Sequence, residues 1–278
     1  MARGWLLSTI AVGVVLGVVF AVFPVLDLDI AGWFFNAKAG KFTTAFSSEL
    51  NTIRHALNWI PWLLVIPPVI ALVIKLIFPA SRMLIAPSIV IYLIGSFILG
   101  PGLISNLALK ESWGRPRPFQ VEQFGGVKTF QPWWRPGGEC PRNCSFISGE
   151  ASQAFWTIAP ASLTPPQWRP VAMGAAIVYG ASVGGLRMVF GRHFFTDIVF
   201  SGVFTIAIVG LLYWLLIDPV RRSDARVEAV ITRVSLALHR GIGALLIGAG
   251  AGLLKIGGVL RETGQRVRKR IADLRPGP

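Results

Sequence analysis

Apolar runs of roughly 20 residues recur along this chain, the length that crosses a bilayer as a helix. In lipid there is no water to hydrogen-bond a bare backbone, so such runs must be helices that satisfy their own N–H and C=O groups. They fall at about 6–26, 58–78, 83–107, 149–163, 171–185 and 196–217. Composition agrees, with 53% hydrophobic and only 14% charged residues, where a soluble domain has about a quarter charged. The expected fold class is all-α: a polytopic membrane protein, a six-transmembrane-helix bundle with interfacial helices and a basic C-terminal tail. Residues 1–217 form the expected membrane domain and 218–278 the tail.

The first run ends in Phe23-Pro24-Val25-Leu26-Asp27, not in the small residues of a cleavage site, and reads as a retained anchor. Between it and the second run, aromatic residues (Trp33, Phe34, Phe35, Phe42) mix with Lys38, Lys41 and Arg54, a pattern that suits a segment lying among headgroups. Pro67-Pro68 is expected to kink the second run. The formal net charge is +14, and residues 218–278 hold 12 Lys/Arg against 5 Asp/Glu. Basic residues beside membrane spans are an orientation signal and attract anionic headgroups, so no nucleic-acid partner is inferred. Six spans put both termini on one side with Arg3, Lys75, Arg82, Arg169, Arg222 and Arg226, which makes that side cytoplasmic. The loops 27–57, 108–148 and 186–195 then face outward, which is the periplasm in a bacterial inner membrane. The glycine-rich stretch 242–260 reads as an interfacial or re-entrant helix, with a seventh span as the alternative.

Charged residues at a membrane edge are expensive to keep and mark functional sites. The stretch 185–197 sits between two apolar runs yet carries Arg187, Arg192, His193 and Asp197. His193 and Asp197 are four residues apart, one face of a helix, where the carboxylate can accept the imidazole N–H and make the ring a better nucleophile. Guanidinium forks nearby suit phosphate oxygens. In the long loop, Lys110 precedes Arg115-Pro116-Arg117-Pro118; the prolines hold the segment extended, so Arg115 and Arg117 are expected to point the same way and to converge with Lys110 as an anion cradle. A third group is Ser148-Gly149-Glu150: an N-cap serine, a glycine that lets backbone N–H groups approach an anion, and an acid in the first helical turn. Glu150 stabilises the helix start by its charge alone, and serves as a proton donor if burial raises its pKa.

These three groups resemble the type-2 phosphatidic acid phosphatase superfamily. Its pattern is Lys, six residues, Arg-Pro; then Pro-Ser-Gly-His; then Ser-Arg, five residues, His, three residues, Asp. Lys110 through Pro118, Ile147 through Glu150 and Leu186 through Asp197 match it in order and spacing. The resemblance implies that His193 attacks phosphorus, that Asp197 orients it, and that Lys110, Arg117, Ser148, Gly149 and Arg187 hold the phosphate. It implies no cofactor and no metal, and the three histidines, His55, His193 and His239, lie far apart along the chain. Ile147 stands where the family has Pro, Leu186 where it has Ser, and Glu150 where it has the His that protonates the leaving oxygen. Glu150 is expected to be a protonated acid doing that work; the alternatives are a leaving group good enough to need little help, such as a pyrophosphate or a sugar-anomeric phosphate, and a slowed or repurposed site.

The expected activity is a membrane lipid phosphatase acting on an amphiphile, with lipid A as the leading substrate. Undecaprenyl pyrophosphate, phosphatidylglycerol phosphate and phosphatidate are alternatives, and a lipid-phosphate binder or transporter is the alternative of another class. The aromatic loop residues Phe119, Phe124, Phe130, Trp133 and Trp134 suggest a bulky substrate. The only two cysteines, Cys140 and Cys144, flank Pro141 and Asn143, which favour a turn; an oxidising compartment would close them as a disulfide.

Overall fold

The computed structural model describes residues 2–42, 47–218 and 222–273; part of the expected headgroup segment (43–46) lies outside them. The chain is an all-α membrane protein, and its only sheet among these residues is a two-residue hairpin, β1 (Phe35–Asn36) with β2 (Lys41–Phe42), pairing Phe35 with Phe42. Helix α1 (Ala2–Val22) is followed by the short α2 (Val25–Gly32) and, after the hairpin, by α3 (Ser48–Ile77). The expected headgroup segment therefore ends early: residues 48–57 are the first turns of α3, an outcome the acceptable helix propensities of Glu49, Leu50 and Arg54 permit. The helix runs through Pro61, Pro67 and Pro68 without a break in its assignment.

The third apolar run is α4 (Pro87–Phe97), a π-helical stretch Ile98–Leu109 containing Pro101, and the single turn α5 (Lys110–Ser112). The expected fourth span is two short helices, α6 (Gly149–Phe155) and α7 (Ile158–Ser162). Then follow α8 (Arg169–Val189), α9 (Phe195–Leu216) and α10 (Asp224–Asp273). Among the described residues five helices are long and apolar enough to cross a membrane: α1, α3, the segment Pro87–Ser112, α8 and α9. Their outward faces carry exposed apolar side chains such as Leu7, Trp59, Leu63 and Val178, as a lipid-facing surface requires. Helix α10 is continuous from 224 to 273, so the tail does not turn back on itself as a re-entrant segment would.

Contacts divide the chain into two units, residues 1–72 with 83–227, and residues 73–82 with 228–278. In the second, Lys75 is buried and donates to Ser81 O and to Glu228 Oε1 (2.8 and 2.9 Å). The first holds every motif residue. Its core packs Val65, Tyr92, Trp156, Ala176 and Val209 from five segments. Two polar pairs inside it are bonded: the Trp156 indole N–H donates to Ser96 Oγ (2.9 Å), and Tyr92 and Ser162 share a hydroxyl bond (2.9 Å). Ser105 of the π-helical stretch bonds Ser152 of α6 (2.7 Å), which ties the segment leading to Lys110 to the helix that starts at Gly149.

Candidate active site

The site forms where α5, the N-terminus of α6, the end of α8 and the start of α9 meet. Ser148 caps α6, its side chain accepting from Ala151 N, and its carbonyl accepts from Ser201 Oγ of α9 (3.0 Å). Gly149 has Asn106 pressed against it; a Cβ there would collide with Asn106 Oδ1. The turn between α8 and α9 passes through Gly191 at φ +64°, a left-handed conformation, and a side chain at that position would also strike the Phe42 ring. Beneath this turn Ala31, Phe42, Val121, Phe124 and Phe194 form a buried apolar cluster. Phe194, the neighbour of His193, belongs to this cluster and so anchors the turn.

His193 is 2% exposed. Its Nδ1 lies 2.7 Å from Ser145 O and 3.6 Å from Asp197 Oδ2. A carbonyl only accepts, so Nδ1 carries the proton and Nε2 keeps its lone pair. The expected direct bond from imidazole to Asp197 is instead a bond to the backbone of Ser145, with the carboxylate one step further out. Burial pulls the imidazole pKa down to about 4, against the opposing pull of Asp197. The ring is neutral at neutral pH, the form in which a histidine is a nucleophile.

Asp197 itself is fully enclosed. It accepts from Arg115 Nη1 (2.6 Å), from the Phe194 backbone N–H (2.8 Å) and from Ser145 Oγ. Arg115 also reaches Asp27 Oδ2 of α2 through Nη2 (2.7 Å), and Thr196 donates to the same Asp27. Arg115 is therefore no part of an anion cradle, contrary to the expected parallel pair with Arg117. Burial between two carboxylates turns it inward; Arg117 goes the other way, giving Nε and Nη2 to Asn143 O (3.2 and 2.8 Å).

Around His193 the cations gather. Arg187 and Arg117 act on it electrostatically, and Lys110 in turn lies within reach of Arg117, Arg187 and Glu150. Arg187 is 9% exposed, and its Nε is a buried donor with no partner among the described residues. An unpartnered guanidinium N–H beside an unprotonated imidazole suits an oxyanion. Among the described residues no three His, Cys, Asp or Glu side chains converge as metal ligands. The Cys140–Cys144 disulfide is formed, with the Cα atoms 5.7 Å apart. Its loop is stitched to the first motif by Cys140 N to Gly114 O and Cys144 N to Lys110 O, both 3.0 Å, and it presents the Asn143 groups that grip Arg117.

Comparison with known proteins agrees with this arrangement. A family model described as the PAP2 superfamily matches residues 89–220. A Francisella tularensis subsp. novicida protein named lipid A 4′-phosphatase is 35% identical over 217 residues, covering 78% of this chain and 97% of that protein. The chain belongs to the PAP2 superfamily. It is a membrane phosphoric monoester hydrolase of that superfamily. Two Rhizobium proteins with the same name, from R. leguminosarum and R. etli, are 34% and 33% identical over 119 residues, 43% of this chain and 51% and 46% of theirs. No solved structure matches.

Where the PAP2 pattern has a histidine, Glu150 does not stand as the expected protonated acid. Oε1 accepts from Arg54 Nη1 (2.7 Å) with Arg187 Nη1 at 3.4 Å, and Oε2 accepts from Asn58 Nδ2 (2.9 Å). With donors on both oxygens, the ionised carboxylate is the form this geometry favours. Arg54 and Asn58 of α3, and Asp27 of α2, escaped sequence reasoning, although a lone Arg near an apolar run was a signal. His55, the neighbour of Arg54 in α3, has its Nε2 2.9 Å from Arg54 Nη2. Of the five loop aromatics, Phe124 is buried in the cluster beneath the turn and Phe130 meets Phe194 edge-on beside it, Trp133 packs against Phe200 in a separate cluster with Phe146 and Ile147, and Phe119 and Trp134 remain exposed.

Proposed function

We propose that this protein removes a phosphate monoester from lipid A, at the 4′ position, through a phosphohistidine on His193. The observation that carries the reading is the neutral, buried imidazole with Nδ1 held by Ser145 O, set among Lys110, Arg117 and Arg187. The name of the Francisella relative supports the substrate. In this reading the chain is a bacterial inner-membrane protein with the site on the periplasmic face and both termini in the cytoplasm. An oxidised Cys140–Cys144 pair in the site loop suits that face.

The phosphate sits between Nε2 and the cations, its oxygens taken by Lys110, Arg117, Arg187 and the Gly149 N–H at the capped start of α6. Nε2 attacks phosphorus as the bond to the lipid oxygen breaks, that oxygen takes a proton from water, and the imidazolium that forms is stabilised by Asp197. Water then cleaves the phosphorus–nitrogen bond and regenerates the ring. Arg115 and Asp27 position Asp197 and touch no substrate. Glu150 is an ionic tether that sets Arg187 and Arg54. A binder or transporter of lipid phosphates would need the cations but not the oriented imidazole.

The experiment is a panel of lipid A, undecaprenyl pyrophosphate, phosphatidylglycerol phosphate and phosphatidate given to the purified protein, with phosphate release and product mass measured. Lipid A losing only the phosphate of its distal sugar supports the reading. Faster turnover of any other lipid replaces the substrate, and phosphate release from none of the four overturns the enzyme reading.

A further inference from the structure

Beside the phosphate cradle lies a polar concavity of about 180 Å³, lined by Asn51 and Arg54 of α3, Arg187 of α8, and Phe190 and Arg192 of the turn that follows. His193, Lys110 and Arg117 do not line it, so it adjoins the point of attack and shares only Arg187 with it. Three guanidinium groups in one small concavity repel one another unless anions join them. One anion is present, Glu150, which pairs with Arg54 and Arg187. Arg192 is exposed, lies 4.6 Å over the Phe119 ring, and among the described residues has no carboxylate partner. Arg187, the third guanidinium of the lining, is itself buried.

Two of these side chains are held in place without a ligand. Arg54 gives Nε to Asn51 Oδ1 (3.1 Å), and Phe119 supports the flat face of Arg192, leaving its N–H edge for an oxyanion. We propose that this concavity is a second anion subsite, taking a phosphate or carboxylate carried on the same lipid headgroup as the scissile phosphate. The proposal rests on the reading of His193 as the point of phosphoryl transfer. It adds that the preferred headgroup bears two anionic groups close together, one cleaved and one held. Free phosphate offers the same chemistry, and the test separates the two sources.

The test compares full-length wild type with Arg192→Gln, in detergent micelles, on two matched synthetic glycolipids. One carries a single cleavable phosphate, and the other carries an additional phosphate or carboxylate on the neighbouring sugar position. Wild type should favour the doubly anionic lipid in kcat/KM by about tenfold, chiefly through KM, as one charge-assisted contact supplies. Arg192→Gln should erase that preference, leave the singly phosphorylated lipid within about twofold, and leave competitive inhibition by inorganic phosphate unchanged; Arg192→Lys should restore part of the preference. A preference that survives in Arg192→Gln, or its absence from wild type, overturns the subsite. Weakened phosphate inhibition in step with the lost preference also overturns it, making the concavity an exit route for product. Should wild type cleave neither lipid, the phosphatase reading fails separately; equilibrium binding of the two lipids, with the same tenfold difference and its loss in Arg192→Gln, then decides the subsite.

Discussion

At Arg115 the chain keeps a full positive charge out of solvent, with Asp27 on one side and Asp197 on the other. Removing one partner of a buried pair leaves the other charge unpaired, which costs about 3–5 kcal/mol. Arg115→Ala should therefore lower stability by about that much in denaturation of the detergent-solubilised protein; a change below about 1 kcal/mol would mean the network is slack. Glu150 gives the next residue-level outcome. In the proposed role of ionic tether it would serve every substrate alike, so Glu150→Gln should slow an alkyl phosphate and an activated aryl phosphate by the same factor, on the order of 10². Selective loss on the alkyl phosphate would restore the proton-donor role. Motif residues such as Lys110, Arg117, His193 and Asp197 were legible because their chemistry is written in short spacings. Their supports were not: Glu150 meets Arg54 across 96 residues and Asp27 meets Arg115 across 88, distances over which one sequence carries no pairing signal.

At the scale of elements, the α8–α9 turn and the disulfide loop do the positioning. The apolar periodicity behind α1, α3, α8 and α9 could be read directly, since a span needs only length and hydrophobicity. The break of the fourth run into α6 and α7 at Trp156 and Thr157 has a local cause in Pro160, which has no N–H for the Trp156 carbonyl four residues back, but the packing of Trp156 against Phe97 and Ser96 could not be read. Inverted use of the aromatic loop has the same origin: a floor and a substrate surface are both aromatic in sequence. The Cys140–Cys144 loop holds Arg117 through Asn143, so its loss should act on binding. The Cys140→Ser/Cys144→Ser variant should raise KM about tenfold while changing stability by no more than about 2 kcal/mol, since so short a loop removes little chain entropy. Unchanged KM in that variant would show that Arg117 keeps its place without the bridge.

The molecule as a whole is a membrane hydrolase whose bundle holds Lys110, Arg117 and Arg187 around one buried imidazole, His193. The cations that would face the phosphate are all side chains of the chain, so hydrolysis should persist in EDTA; activity lost on chelation and restored by a divalent ion would contradict that. The most direct measurement stops the reaction of the full-length protein with lipid A within its first turnover and maps covalent phosphate by peptide mass spectrometry. The account predicts acid-labile phosphate on His193, absent from His193→Ala, whose turnover falls by several orders of magnitude. Phosphate on any other residue, or near-native turnover by His193→Ala, would contradict it.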